Sequence, residues 1–186
     1  GECWSWGRNE YCQLGDGSET KRNRPVKVEL PGKALSIAAG YFHTVVLLEC
    51  GECWSWGYNA NGQLGDGSER NRNRPVKVEL PGRALNIAAG GHHTVVLLEG
   101  GECWSWGENR YGQLGDGSET NRTRPVKVEL PGKALSIAAG YFHTVVLLEC
   151  GECWSWGRND CGQLGDVSER NRTRPVKVEL PGKALS

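Results

Sequence analysis

The sequence predicts an all-β protein made of four-stranded antiparallel blades, and three observations carry that prediction. GECWSWG opens at Gly1, Gly51, Gly101 and Gly151, a period of 50 with no insertion or deletion. A pattern of that length belongs to units that bury their apolar faces against one another. Each period holds four short apolar or alternating segments, and Gly- and Pro-bearing turns separate them. Four antiparallel strands in about 50 residues mark the blade of a β-propeller. The 186 residues hold three periods and part of a fourth. The prediction is therefore an incomplete arc of about three and a half blades, where closed rings take ~4–8. Within one repeat domain, 1–186, it divides into an outer strand pair over 1–33, blades over 34–83, 84–133 and 134–183, and the start of a further blade at 184–186.

The innermost strand is Ala34 to Gly40 (ALSIAAG), whose small residues suit the crowded axis; a helix is excluded because the run is short and glycine ends it. Thr44 to Leu48 (TVVLL) is apolar throughout, as a strand covered on both faces must be. Glu52 to Trp56 (ECWSW) alternates, with Trp54 and Trp56 on one face and Cys53 and Ser55 on the other. Val76 to Leu80 sets Val76, Val78 and Leu80 against Lys77 and Glu79, the pattern of a half-exposed rim strand. Arg24 before Pro25 is held extended, so the rim strand is expected to begin at the proline. Two-residue turns at Cys50-Gly51, Gly100-Gly101 and Cys150-Gly151 join the second strand to the third, and Pro31-Gly32 turns the fourth into the next period.

The tryptophans then face adjacent blades in pairs: Trp4 with Trp6, Trp54 with Trp56, Trp104 with Trp106, and Trp154 with Trp156. Each buried indole removes ~150–250 Å² from water, worth ~4–6 kcal/mol before entropy, so these pairs are expected to be the main adhesive. His43, His93 and His143 share one position before a Thr and read as structural, each making a hydrogen bond that fixes its loop.

In one period the motif runs Trp56-Gly57, Asn59, Gly62-Gln63-Leu64-Gly65, Pro75, Ala89-Gly90 and His93-Thr94, with copies in the others. It resembles the regulator of chromosome condensation repeat family along essentially the whole chain. The resemblance implies a propeller, usually seven-bladed. Its members include a guanine-nucleotide exchange factor for a small GTPase, a plant UV-B photoreceptor and many interaction modules. Cys12 departs from the first Gly of G-Q-L-G, Val167 from the Gly of the other periods, and no period has room for a wedge-like hairpin insertion.

Charge balances at 22 Lys+Arg against 22 Asp+Glu, which argues against nucleic acid or anionic membrane as partner. No apolar run is long enough to span a bilayer. Methionine is absent, so the chain is processed, cut from something longer or written without its start. Cys50-x-x-Cys53 and Cys150-x-x-Cys153 lie two blades apart and do not converge as a zinc site needs; Cys12 and Cys161 are expected as exposed loop thiols. Eight cysteines without a small secreted framework fit a reducing compartment such as the cytoplasm. No cofactor or metal is expected. Nearly every polar group recurs three or four times, whereas catalysis needs one asymmetric constellation, so a catalytic site is not expected either.

What varies between periods points to function. The variable sets are Arg8, Tyr58, Glu108 and Arg158; Glu10, Ala60, Arg110 and Asp160; Tyr11, Asn61, Tyr111 and Cys161; and Tyr41-Phe42, Gly91-His92 and Tyr141-Phe142. In a four-strand meander these loops share one end of the blades. Loops on a rigid scaffold carry binding residues, and Tyr, Phe and Arg anchor interfaces. All of these except Ala60, Gly91 and Cys161 are expected to bind a protein partner, the chain acting as a non-catalytic scaffold. Exchange activity on a small GTPase is the alternative the resemblance implies; an amplified or engineered repeat without a dedicated ligand is another. An open arc also predicts self-association, or a longer chain, to close the ring.

Overall fold

The computed structural model describes residues 1–184, which form fourteen strands and no helix. Strands β1 (Cys3–Gly7) and β2 (Arg22–Val28) make a two-stranded sheet. Three four-stranded meanders follow. The first is β3 (Ala34–Ala39), β4 (His43–Leu48), β5 (Cys53–Gly57) and β6 (Arg72–Val78). The second is β7 (Ala84–Ala89), β8 (His93–Leu98), β9 (Cys103–Gly107) and β10 (Arg122–Val128). The third is β11 (Ala134–Ala139), β12 (His143–Leu148), β13 (Cys153–Gly157) and β14 (Arg172–Lys177). Strand β7 touches both β3 and β11, so the alanine-rich strands converge as an axis requires. The last two residues of the expected further blade lie outside the described residues; Ala184 keeps the bond of its counterparts, its amide donating to Gly151 O at 3.0 Å.

The rim strands start three residues before the expected proline. Pro75 sits inside β6, where the ladder shifts between Ser55↔Val76 and Gly57↔Arg72. A bulge on an outer strand needs no amide donor at that point, so proline is tolerated there.

The core lies between sheets. Val45, Leu47, Cys53 and Val78 of one sheet pack on Ala84, Ile87, Val96, Leu98 and Trp106 of the next. The same set recurs one period on, around Trp156. Alternate residues of β4 thus serve the following sheet (Val45, Leu47) and the preceding one (Val46, Leu48), which is why its stretch from Val45 to Leu48 is apolar without a break.

The paired tryptophans are not equivalent. Trp56, Trp106 and Trp156 are fully buried, whereas Trp54, Trp104 and Trp154 are half-buried. Trp56 lies flat on Gly15 of the preceding sheet, where a Cβ would stand 2.7 Å from its ring, and its Nε1–H donates to Gln13 O at 2.9 Å. Trp54 instead donates to Glu52 Oε2 at 3.1 Å, and Glu52 Oε1 accepts from Lys77 Nζ at 2.8 Å. Trp4 and Trp6 depart from the expectation: they are exposed, Trp6 by 62%, because among the described residues no sheet packs on that side of them.

Cys12 also departs. It is buried, at φ 65, in the place where Gly62 abuts Arg122 and Thr123 of the following sheet. Cys161 occupies the same place on the last sheet and is exposed. Burial pushes the thiols of Cys53 and Cys103 up to about 12. A disulfide reagent at pH 8 is therefore expected to titrate Cys50, Cys150 and Cys161 quickly in the native protein and Cys53 and Cys103 only after unfolding; rapid labelling of Cys53 would contradict the packing.

Candidate functional site

In each sheet the loops after the first and third strands emerge at the same end. The longer loop is stiffened by Asn59, which the sequence shows only as a member of the repeated motif. Asn59 is fully buried: its Oδ1 accepts from Leu64 N at 2.9 Å, and its Nδ2 donates to Ser68 O at 2.9 Å and Arg70 O at 3.1 Å. Asp66 closes the loop, accepting from Ser68 N at 2.9 Å and Arg72 Nε at 2.7 Å. Burial opposes its ionised form, yet the Ser68 and Arg72 bonds outweigh burial and hold its carboxyl below the usual range. The recurring first arginine of the rim strand is thus a partner of this buried Asp rather than a free rim charge.

On this frame the variable residues meet. Ring centroids lie 4.6 Å apart for Tyr11 and Phe42, 4.3 Å for Phe42 and Tyr41, and 5.7 Å for Tyr41 and Tyr141. They continue at 4.4 Å from Tyr141 to Phe142 and 4.9 Å from Phe142 to Tyr111. His92 stands 6.0 Å from both Tyr41 and Tyr141, and Tyr58 joins it at 5.9 Å and Tyr11 at 5.2 Å. Most pairs are tilted or edge-on, the favourable arrangement for aromatic quadrupoles. The file crosses the middle period because Gly91 has no side chain: a Cβ there would lie 2.9 Å from the Tyr141 ring.

Three guanidinium groups lie over the ends of the file. Arg8 sits 5.3 Å from the Phe42 centroid, Arg110 4.7 Å from Tyr111, and Arg158 5.3 Å from Tyr111. Each is paired with an acid two residues away: Arg8 with Glu10, Arg110 with Glu108 and Arg158 with Asp160. The first pair is reversed in sequence relative to the second, yet an arginine covers the rings in both.

Two of the expected contact residues stand apart. Glu108 is buried; burial raises its carboxyl pKa, partly countered by Arg110, and its Oε2 has no partner among the described residues. Asn61 turns outward, its Oδ1 accepting from Asn121 Nδ2 at 3.3 Å. Gln63, named in the repeat motif but not among the expected contact residues, lies beneath the face: its Nε2 is 3.4 Å from His92 Nδ1. Its recurrence directly before Leu-Gly in every period was the available signal.

The structural histidines work between sheets rather than within their own loops. His43 Nε2 lies 3.0 Å from Thr94 Oγ1, and His93 Nε2 3.1 Å from Thr144 Oγ1. Thr94 Oγ1 donates to Gln63 O at 2.9 Å, so it accepts from His43 Nε2–H and fixes that tautomer. Nδ1 of His43 and of His93 is then a buried lone pair without a donor among the described residues, and burial lowers both pKa values to about 3. His143, on the open last sheet, is only half-buried. Among the described residues no group of three His, Cys, Asp or Glu side chains is placed to hold a metal ion.

Fold and face together define an open β-propeller arc with one aromatic, arginine-flanked end. The chain belongs to the RCC1-like domain family, which matches residues 1–185. Prp20p from Saccharomyces cerevisiae, described with its binding properties to Gsp1p and histones, superposes with a TM-score of 0.84 at 26% identity, over 97% of this chain and 47% of its own. Yeast RCC1 (Prp20) bound to Kap60 gives 0.83 at 25%, over 97% and 45%. Human WBSCR16 shares the fold at 0.69 and 20% identity, over 98% of this chain and 64% of its own. The chain spans less than half the length of the two yeast structures. No protein of curated function matches it in sequence.

Proposed function

We propose that the chain is a non-catalytic interaction scaffold that binds a protein partner through the aromatic and arginine face. The observation that carries this reading is continuity: side chains from loops of all four sheets form one unbroken file of rings from Tyr11 to Tyr111. Independent drift in separate loops gives no reason for Gly91 to make room for Tyr141, or for the Arg8–Glu10 pair to reverse as a pair at Glu108–Arg110. Large, rigid rings with stacked guanidinium groups lose little conformational entropy on docking, which is why such residues anchor interfaces. Glu108 serves from beneath by holding Arg110, and Asn61 sits outside the contact. The yeast structure bound to Kap60 supplies an example of protein binding on this fold.

The fourfold variant Y41A/F42A/Y141A/F142A is expected to lose the partner captured by the native chain while its thermal midpoint moves little, since Tyr41 and Tyr141 are exposed. Undiminished capture by a folded variant would remove the face from consideration. Exchange activity on a small GTPase, the other reading the family suggests, is separated by nucleotide release: acceleration that survives the fourfold variant would favour it.

A further inference from the structure

His92 stands in the middle of the aromatic face. Ring centroids lie 5.9 Å away for Tyr58, 6.0 Å for Tyr41 and for Tyr141, and 6.4 Å for Phe42. Its hydrogen bonding is settled by the preceding sheet. Gln63 Oε1 accepts from Asn61 N at 3.0 Å, which orients that side-chain amide, so its Nε2, 3.4 Å from His92 Nδ1, is the donor. Nδ1 therefore accepts, and the ring proton sits on Nε2. That Nε2–H has no acceptor among the described residues, and the ring is only half-buried.

The next interface shows what the imidazole contributes. There Gln113 Oε1 accepts from Tyr111 N at 2.9 Å in the same way, but Phe142 stands where His92 does. The buried Gln113 Nε2 is left with no partner among the described residues. The repeated glutamine is thus set to meet a ring nitrogen, and His92 supplies one.

The charge that acts on this donor is positive. Glu108 N donates to His92 O at 2.9 Å, which brings the β9–β10 loop and its Arg110 alongside. Glu108 is buried, whereas the Arg110 side chain is 57% exposed. Their ion pair engages Arg110 Nε, 3.0 Å from Glu108 Oε1, and the Nη groups make no hydrogen bond among the described residues. Burial first, and then the Arg110 charge, lower the His92 pKa. A field that opposes a second proton on the ring favours an anion beside it. The other titratable groups near the ring are Glu108, the buried neutral His43 and His93, and the phenols of Tyr41, Tyr58 and Tyr141.

We propose that His92 Nε2–H and Arg110 together take a carboxylate of the bound partner, an aspartate or glutamate side chain, and that Gln63 is the positioning residue that holds the imidazole in this tautomer. The surrounding rings keep water from the contact, which strengthens it. Assigning the carboxylate to a partner rests on the face being the partner surface; the tautomer and the anion site do not.

The test uses nitrogen-15 spectra of the histidine rings, with the His92 signals assigned by their loss in His92→Phe. That variant keeps the residue the other two periods carry at this place, so it should fold. Native His92 is expected as the neutral Nε2–H tautomer, titrating below the ordinary value of about 6.5. Gln63→Glu can keep the bond to Asn61 N while offering Nδ1 an acceptor, so it should move the proton to Nδ1 and raise the midpoint by about one unit or more. A glutamine that merely fills space would leave both unchanged. Acetate is then titrated at constant ionic strength, with acetamide as the neutral control. Acetate should shift His92 Nε2–H and Arg110 Nε–H saturably, acetamide should not, and His92→Phe should weaken the acetate site about tenfold or more. An Nδ1–H tautomer in the native protein, an unmoved midpoint in Gln63→Glu, or equal responses to acetate and acetamide would overturn the proposal. None of these outcomes bears on capture by the fourfold variant, so the face and its anion site fail separately.

Discussion

Replacing Trp106 with alanine should cost about 3–5 kcal/mol of folding free energy, while the same replacement at Trp6 should cost under about 1 kcal/mol. Both residues sit in an identical CWSWG strand. Trp106 is enclosed by Val45, Leu47, Cys53 and Val78 of the preceding sheet, and its indole N–H donates to Gln63 O at 2.9 Å. Removing it opens a cavity that a close-packed sheet interface cannot collapse and separates two sheets that meet chiefly through that surface. Trp6 has solvent where Trp106 has a sheet. Since domains are stable by about 5–15 kcal/mol, the first substitution removes a large share of the total. Denaturant unfolding of the two variants decides it, and comparable losses at both positions would refute the inter-sheet core as the source of stability.

Acidification should destabilise the fold well before the carboxylates titrate. His43 and His93 have pKa values near 3 in the folded state and near 6.5 when unfolded. Between those values the unfolded chain binds protons that the folded chain refuses, so stability is complete above about pH 7 and falls as pH drops. Each histidine contributes about 1.4 kcal/mol per pH unit in that window. From pH 7 to 4.5 the two together should remove about 5 kcal/mol. The structural cause is the Nε2–H bond to Thr94 or Thr144, which leaves Nδ1 facing no acceptor, so a second proton would be a buried, unpaired donor. Glu108 works in the opposite sense, because its raised carboxyl pKa favours the folded state as pH falls towards that value. The depressed carboxyls of Asp66 and Asp116 lose their contribution only at lower pH. Urea unfolding at pH 7, 6 and 5 should show the fall; a flat profile in the native protein would contradict the buried neutral histidines.

Much of the blade was legible because its signals are local. The alternation in ECWSW, the unbroken apolar run of TVVLL and the glycine-bearing turns each reflect the chain's own periodicity. The aromatic face was legible only in part. The variable loops named nearly all of its members, but nothing in the order of residues showed that Tyr41 meets Tyr141 across Gly91, or that Glu108 lies beneath its arginine. Asn59 and Gln63 were legible only as members of the repeated motif, because their hold on the variable residues is a matter of tertiary contacts that a comparison between periods does not show. Pro75 was read as a strand start, where the ladder instead bulges to accommodate it.

The sequence by itself determined the strands, their order within a blade and the end at which the variable loops emerge. It did so because strand pairing through short turns depends on neighbours along the chain. Tertiary structure alone decided which of several identical residues is buried: Trp56 but not Trp6, Ile87 but not Ile37, Cys12 but not Cys161, His93 but only half of His143. Burial is a property of what lies across the interface, and among the described residues the first and last sheets have a neighbour on one side only.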